Sequence, residues 1–233
     1  MPVYRLKYRK EGPASYISHL DLLRTFARAG RRAGLPLAFT QGFNPHPKIS
    51  FAAPLGVGIA GVGEYADLEL TEARETAELV EALNRALPEG LRVSEARLSE
   101  AQAKSLMALV DRATYRSEAR LSRPYPQNEL TESLTAFLAL PEIWVERRGK
   151  KKPATRYNIR AGVFALQGTV EGDSLSLEME LKTGSSGNVK SEELLQELVK
   201  AVALPVTSGF TTCRTGLYQK PENQQEKRTL WEN

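Results

Sequence analysis

Tyr4, Leu6 and Tyr8 alternate with Arg5, Lys7 and Arg9 in VYRLKYR (3–9), a period of two that predicts a strand with one buried face. The pattern then switches to 3.6. Ser18 is placed to cap a helix running to about Ala33, with Asp21 three residues on, Gly34 as its stop and Pro36 beyond. A short strand near 37–39, a stiff loop and ISFAA (49–53) follow. EYADLEL (64–70) alternates again, and Thr71 is placed to cap a helix with Leu79, Val80, Leu83 and Leu87 on one face. Pro88 and Gly90 end it before LRVSEARL. After AQAKSLMALVDRA (101–113), whose period is helical, the order repeats. TYRSEARL (114–121) reads as a strand and 127–140 as a helix with Leu130, Leu134, Phe137 and Leu138 inward. EIWVERR (142–148) reads as a strand, and NIRAGVFALQGTV and SLSLEMEL form a hairpin turning at Gly172 and Asp173. Ser191 is placed to cap the last helix, and TTCRTGLYQ (211–219) reads as the final strand.

Strand, helix, strand, strand, helix, strand, taken twice, predicts an α+β fold. It consists of two tandem ferredoxin-like βαββαβ units with the helices on one face of each antiparallel sheet. The expected boundaries are 1–100 for the first unit, 101–113 for a helical connector, 114–220 for the second unit and 221–233 for a mobile tail rich in Gln, Glu, Asn and Lys. The 233 residues suit two such units of roughly 100 to 120 residues each.

Composition narrows the chemistry. Lys and Arg number 32 against 28 acids, a formal net charge of +4, which favours acidic partners only if the basic residues cluster. The single cysteine, Cys213, excludes an internal disulfide, a thiolate zinc cage and an iron–sulfur site of the chain's own. MPVYRLKYRK lacks the apolar core of a signal peptide, and the uncharged stretch around Lys48 is broken by Gln41, Asn44, glycines and prolines. A cytoplasmic protein with no membrane span is therefore expected. Two histidines and one cysteine leave no nucleophile or metal constellation, so no catalytic residue, metal or cofactor is assigned and binding is preferred over catalysis.

Three basic or stiffened segments are candidates for a nucleic-acid surface. In LLRTFARAGRRAGL, Arg24, Arg28 and Arg32 recur every fourth residue, and at about 100° per residue Arg31 falls beside them. Like charges at that spacing cost roughly 0.2–0.5 kcal/mol each in an isolated helix, which phosphates would offset. A solvated face, partly neutralised by Asp21, is the plainer alternative. Residues 147–160 hold seven basic residues and no acid, with Trp144 just upstream; Lys150, Lys151, Lys152, Arg156, Tyr157 and Arg160 are the candidates there. In TQGFNPHPKIS (40–50), Pro45 and Pro47 fix their own φ and hold Asn44 and His46 extended, so the loop is ordered before any ligand arrives. Phe43 can stack on a base, Asn44 can read one, and His46 and Lys48 can reach phosphate. The competing picture buries Phe43 and uses His46 as a backbone cap.

Two other patterns carry less. Arg5, Lys7 and Arg9 would project from an open sheet face, but Asp67 and Glu69 share that parity on the expected neighbour, so an ion-pair ladder is preferred there. Gly56, Gly58 and Gly61 match GxGxxG literally, yet a strand rather than a helix follows, which removes the dinucleotide reading.

SHLDLLR (18–24), GFNPHPK (42–48) and the glycines behind them resemble the radical-SAM-linked proteins, a bacterial family whose domain of unassigned function occurs alone or fused to radical SAM proteins. The resemblance thins after Ala101, where TRYNIR and CRTGLY are the matching pieces. It implies a radical SAM protein as partner and an RNA-modification setting. The expected function is accordingly an RNA-binding accessory protein that presents tRNA or rRNA to a separate radical SAM enzyme. The alternatives are a stand-alone RNA-modifying enzyme resembling the pseudouridine synthases in fold, or a protein–protein adaptor for the radical SAM partner.

Overall fold

The computed structural model describes residues 1–99, 104–149, 152–219 and 228–231, which divide into two compact units. One is built from Met1–Asp111 together with Arg214–Asn233, the other from Arg112–Cys213.

In the first unit, β1 (Val3–Lys10) lies between β3 (Ala60–Glu69) and β4 (Leu91–Leu98), antiparallel to both. The short β2 (Ile49–Phe51) pairs with the far end of β3. The alternation read in VYRLKYR is real: Tyr4, Leu6 and Tyr8 enter a core with Leu22, Phe26, Phe51, Leu68, Leu79, Leu83 and Val93. Each such side chain contributes ~1.5–3 kcal/mol by leaving water. That core is closed by α1 (His19–Arg32) and α2 (Thr76–Ala86). Ser18 caps α1, accepting from the Asp21 N–H at 3.2 Å while its hydroxyl donates to Oδ2 of Asp21 at 2.7 Å. Gly34, at φ +65°, turns the chain beyond the far end of α1. Thr71 does not cap α2, which starts five residues later; its hydroxyl donates instead to the carbonyl of Pro36.

The opposite face of β1 is not open. Arg5 is buried, paired with Asp67 at 3.0 Å and donating to the carbonyl of Leu230 at 2.9 Å. Residues 228–231, expected to belong to a mobile tail, are placed: β11 (Arg228–Thr229) pairs with β10 (Thr211–Gln219), Leu230 is fully buried, and the Trp231 ring meets Tyr65 edge-on at 5.4 Å. The rest of that expected tail, 221–227 and 232–233, lies outside the described residues. Of the expected connector, the described part holds a single helical turn, α3 (Leu106–Leu109).

In the second unit, β5 (Arg112–Arg120) and β8 (Val163–Glu171) flank β9 (Ser174–Lys182), all antiparallel. Leu175, Leu177, Met179 and Leu181 of β9 are buried, with Leu130, Leu134 and Phe137 of α4 (Gln127–Ala139) and Leu194, Leu195 and Leu198 of α5 (Ser191–Val202). EIWVERR does not join this sheet. Its residues Trp144–Gly149 form β6, which pairs only with β7 (Lys152–Asn158) as a separate two-stranded ribbon.

The expectation of two tandem ferredoxin-like units is therefore overturned. One nine-stranded mixed sheet runs in the order β4-β1-β3-β10-β5-β9-β8, with β2 on β3 and β11 on β10. Alternation reports which side chains a strand buries and says nothing about its partner. TTCRTGLYQ reads as a closing strand of a second repeat; it is β10, between β3 and β5 in the strand order.

Candidate functional site

Four guanidinium groups lie along one side of α1. Leu22, Phe26, Ala29 and Gly30 take the buried side, which leaves Arg24, Arg28, Arg31 and Arg32 exposed over about 100° of arc. Arg24 donates to Asp21 at 3.1 Å. The Ser18 hydroxyl, and next the Arg24 guanidinium, hold the Asp21 carboxyl below the usual carboxylate range. Arg31 stacks over the Phe39 ring at 5.7 Å. Among the described residues, Arg28 and Arg32 form no ion pair.

Phe39 also leads into the stiff loop. It bridges to Pro47, the Thr40 N–H donates to the carbonyl of His46 at 2.9 Å, and the His46 N–H donates to Oγ1 of Thr40 at 3.0 Å. This closes the loop at its base and leaves 41–45 as the tip, where Phe43 is fully exposed. The picture of a buried Phe43 is corrected: the ring stands in solvent with Asn44 and His46 exposed beside it. His46 contributes its backbone to the closure and leaves its imidazole outward. Lys48 is drawn to Glu69 at 3.0 Å.

The basic run of the second unit is differently disposed. Arg147 is held by Glu193 at 2.8 Å and stacks on Tyr157 at 4.9 Å, and Arg148 pairs with Glu146 at 3.1 Å. Arg156 lies over Trp144 at 5.0 Å, on the ribbon. Arg160 completes the end of α4, donating to the carbonyls of Leu138 at 2.9 Å and Val163 at 3.0 Å. Lys150 and Lys151 lie outside the described residues; Lys152 opens β7. Thus Arg24, Arg28, Arg31, Arg32, Phe43, Asn44, His46 and Lys48 share the first unit, whereas Arg156, Tyr157 and Arg160 belong to the second.

Two groups of residues escaped the pattern. Tyr16, Leu20 and Val57 are exposed at 71%, 65% and 61% around the start of α1. A Cβ at Gly58 would lie 4.0 Å from the Tyr16 ring, and the Gly58 N–H donates to the carbonyl of Ser15 at 2.9 Å. Leu20 was detectable: on a helical wheel it falls at the edge of the arginine sector, about 20° beyond Arg31. The second group is buried. Arg214 and Glu64, 1% and 2% exposed, form a bidentate pair, and Arg214 also donates to the carbonyl of Ala53 at 2.7 Å. Lys10 donates to the carbonyls of Ser15 and Ile17 at 3.1 and 3.0 Å, and burial lowers its pKa. Burial likewise raises the pKa of Tyr8 well above its ordinary value. No spacing rule pairs residues 150 positions apart, so only coordinates reveal this cluster. It fixes the segments on either side of the arginine helix: Lys10 the turn before Ser18, Arg214 the residues after β2.

Among the described residues, no group of three or more His, Cys, Asp or Glu side chains could hold a metal ion, and no helix is long and apolar enough to cross a membrane.

Residues 3–191 match the family described as "Uncharacterized protein conserved in bacteria (DUF2344)". The chain belongs to DUF2344. The match takes in SHLDLLR and GFNPHPK, which carry the site. No curated protein matches this DUF2344 chain in sequence. Among solved structures it is similar to a chain of a Cbf5–Nop10–Gar1 complex, at 14% identity and a TM-score of 0.51, over 93% of the DUF2344 chain and 48% of the other. A second neighbour, an H/ACA RNP bound to a substrate RNA containing 2′-deoxyuridine, has 13% identity and a TM-score of 0.49, covering 93% and 47%. The DUF2344 chain thus spans about half the length of these neighbours. What the first likeness shows is fold alone: the nine-stranded sheet resembles that of a chain in the Cbf5–Nop10–Gar1 complex, in place of the ferredoxin-like tandem.

Proposed function

We propose that this chain is an RNA-binding accessory module that holds a tRNA or rRNA substrate for a separate radical SAM enzyme. One observation carries the RNA half. Four exposed arginines line a single helix face, three of them without an ion pair among the described residues, next to a pre-closed loop that holds an aromatic ring in solvent. A row of like charge with a single ion pair, Arg24 to Asp21, suits an anionic polymer, because each guanidinium can displace a condensed counterion from a phosphate. The radical SAM half rests on the resemblance of SHLDLLR and GFNPHPK to the radical-SAM-linked proteins.

Filter binding with tRNA and rRNA fragments at two salt concentrations tests the RNA half. Affinity is expected to fall steeply with salt, and Arg28→Glu with Arg32→Glu to flatten that dependence by roughly one unit of slope per lost contact. Binding that is absent, or indifferent to salt, overturns it. For the enzyme half, the chain is expected to stimulate RNA modification by a radical SAM enzyme that it copurifies with.

The Cbf5-like sheet favours a second reading, an RNA-modifying enzyme acting alone, though fold by itself does not specify chemistry. Nucleoside analysis of RNA incubated with the purified chain separates the two: a modified nucleoside formed without a partner selects the second.

A further inference from the structure

The arginine row of α1 has exposed ring and apolar groups at both ends. At its C-terminal end, Arg31 stacks on Phe39, and the loop that leaves Phe39 raises Phe43 into solvent. At its N-terminal end, Tyr16 stands 71% exposed beside Gly58, and Val57 and Leu20 are exposed as well. Between them the helix runs about 18 Å from Leu20 to Arg32, and successive arginines one turn apart rise by about 6 Å. That rise is comparable to the separation of adjacent phosphates along one strand.

Duplex RNA would be gripped by its phosphates and 2′-hydroxyls, with its bases stacked away inside. Exposed rings at the ends of the row would then meet nothing. Unpaired bases, by contrast, stack on aromatic side chains while the backbone follows a cationic track, which is the arrangement found here. A protein partner or membrane fits less well, because Phe43 is flanked by the exposed Gln41, Gly42, Asn44 and His46.

We infer that the surface binds single-stranded RNA, a stretch of about four nucleotides by the helix length from Leu20 to Arg32, with its phosphates on Arg24, Arg28, Arg31 and Arg32 and its terminal bases stacked on Phe43 and Tyr16. This rests on the RNA-binding reading above, and it adds Tyr16 as a binding residue and excludes duplex as the preferred ligand.

Anisotropy titrations with a short single-stranded oligoribonucleotide and with its duplex, at one salt concentration, test it. Single strand is expected to bind at least 10-fold more tightly. Phe43→Ala and Tyr16→Ala are each expected to weaken single-strand binding by roughly 5- to 100-fold without changing the salt slope. Phe43→Tyr and Tyr16→Phe should restore it. A 2-aminopurine at a terminal position should be quenched by the parent protein and not by the corresponding alanine variant. Both rings are solvent-exposed, so unchanged thermal melts will show that the variants fold. Equal affinity for duplex, or alanine variants that bind like the parent, would overturn the inference while leaving salt-dependent RNA binding intact. Absence of any RNA binding by the parent chain overturns both.

Discussion

Glu64 and Arg214 illustrate what a single side chain contributes here. Each is sealed from water, so removing one leaves the other an uncompensated charge in a poorly polarisable medium, at a cost of about 3–5 kcal/mol. Arg214→Met is expected to lower unfolding free energy by that amount in denaturant melts, and the double variant Glu64→Leu/Arg214→Met to recover much of it. Asp21 acts at the surface and in a different pH range. Its folded pKa is depressed, so its contribution is complete above the unfolded value near pH 4 and is lost as pH falls through the lower folded value. Asp21→Asn should therefore lower Tm at pH 6, and the gap from the parent should close as pH drops toward 2. Asp21 was visible in the sequence as part of a cap. The roles of Lys10 and Arg160 were not, because each donates to backbone carbonyls that only the folded chain brings near.

Among the elements, α1 was the most legible. Ser18 before it, Gly34 after it and a 3.6-residue apolar stripe fix its ends and its buried face, since caps and periodicity are local properties of the chain. Ser18→Ala is expected to cost about 0.5–2 kcal/mol in thermal or denaturant unfolding. The 40–48 loop was half legible. Its prolines announced stiffness, but whether Phe43 turned inward depended on the Thr40–His46 closure, which spacing does not disclose. Relaxing the tip with Pro45→Gly should leave Tm nearly unchanged and weaken RNA binding by about 2- to 5-fold, the conformational entropy that one proline removes beforehand. The run at 147–160 shows the opposite failure. Charge density marked it, yet its described arginines are tied to Glu193, Glu146, Trp144 and the end of α4. A count of basic residues cannot distinguish these uses from free charge.

For the whole molecule, most elements were read in their order, β7 and β11 were not, and the connectivity in space was wrong. Seen one-dimensionally, two repeats follow each other; in three dimensions the first unit is discontinuous, completed by Arg214–Asn233. Non-local strand pairing leaves no local mark, so β10 could not be assigned to β3 from its own residues. A fragment ending at Asp111 would retain Glu64 without its counter-ion and Arg5 without its cover from Leu230. It is expected to melt without a cooperative transition by circular dichroism, and joining 214–233 to it through a short linker should restore one.

The edge-on contact between Trp231 and Tyr65 gives the protein a built-in optical probe. Its two tryptophans fall one to each unit, Trp231 packed against the first and Trp144 on the ribbon of the second. Indole emission from a Trp144→Phe chain therefore monitors the discontinuous unit alone, and emission from a Trp231→Phe chain the other. A titration of each single-tryptophan chain would reveal which half of the polypeptide senses an added oligonucleotide.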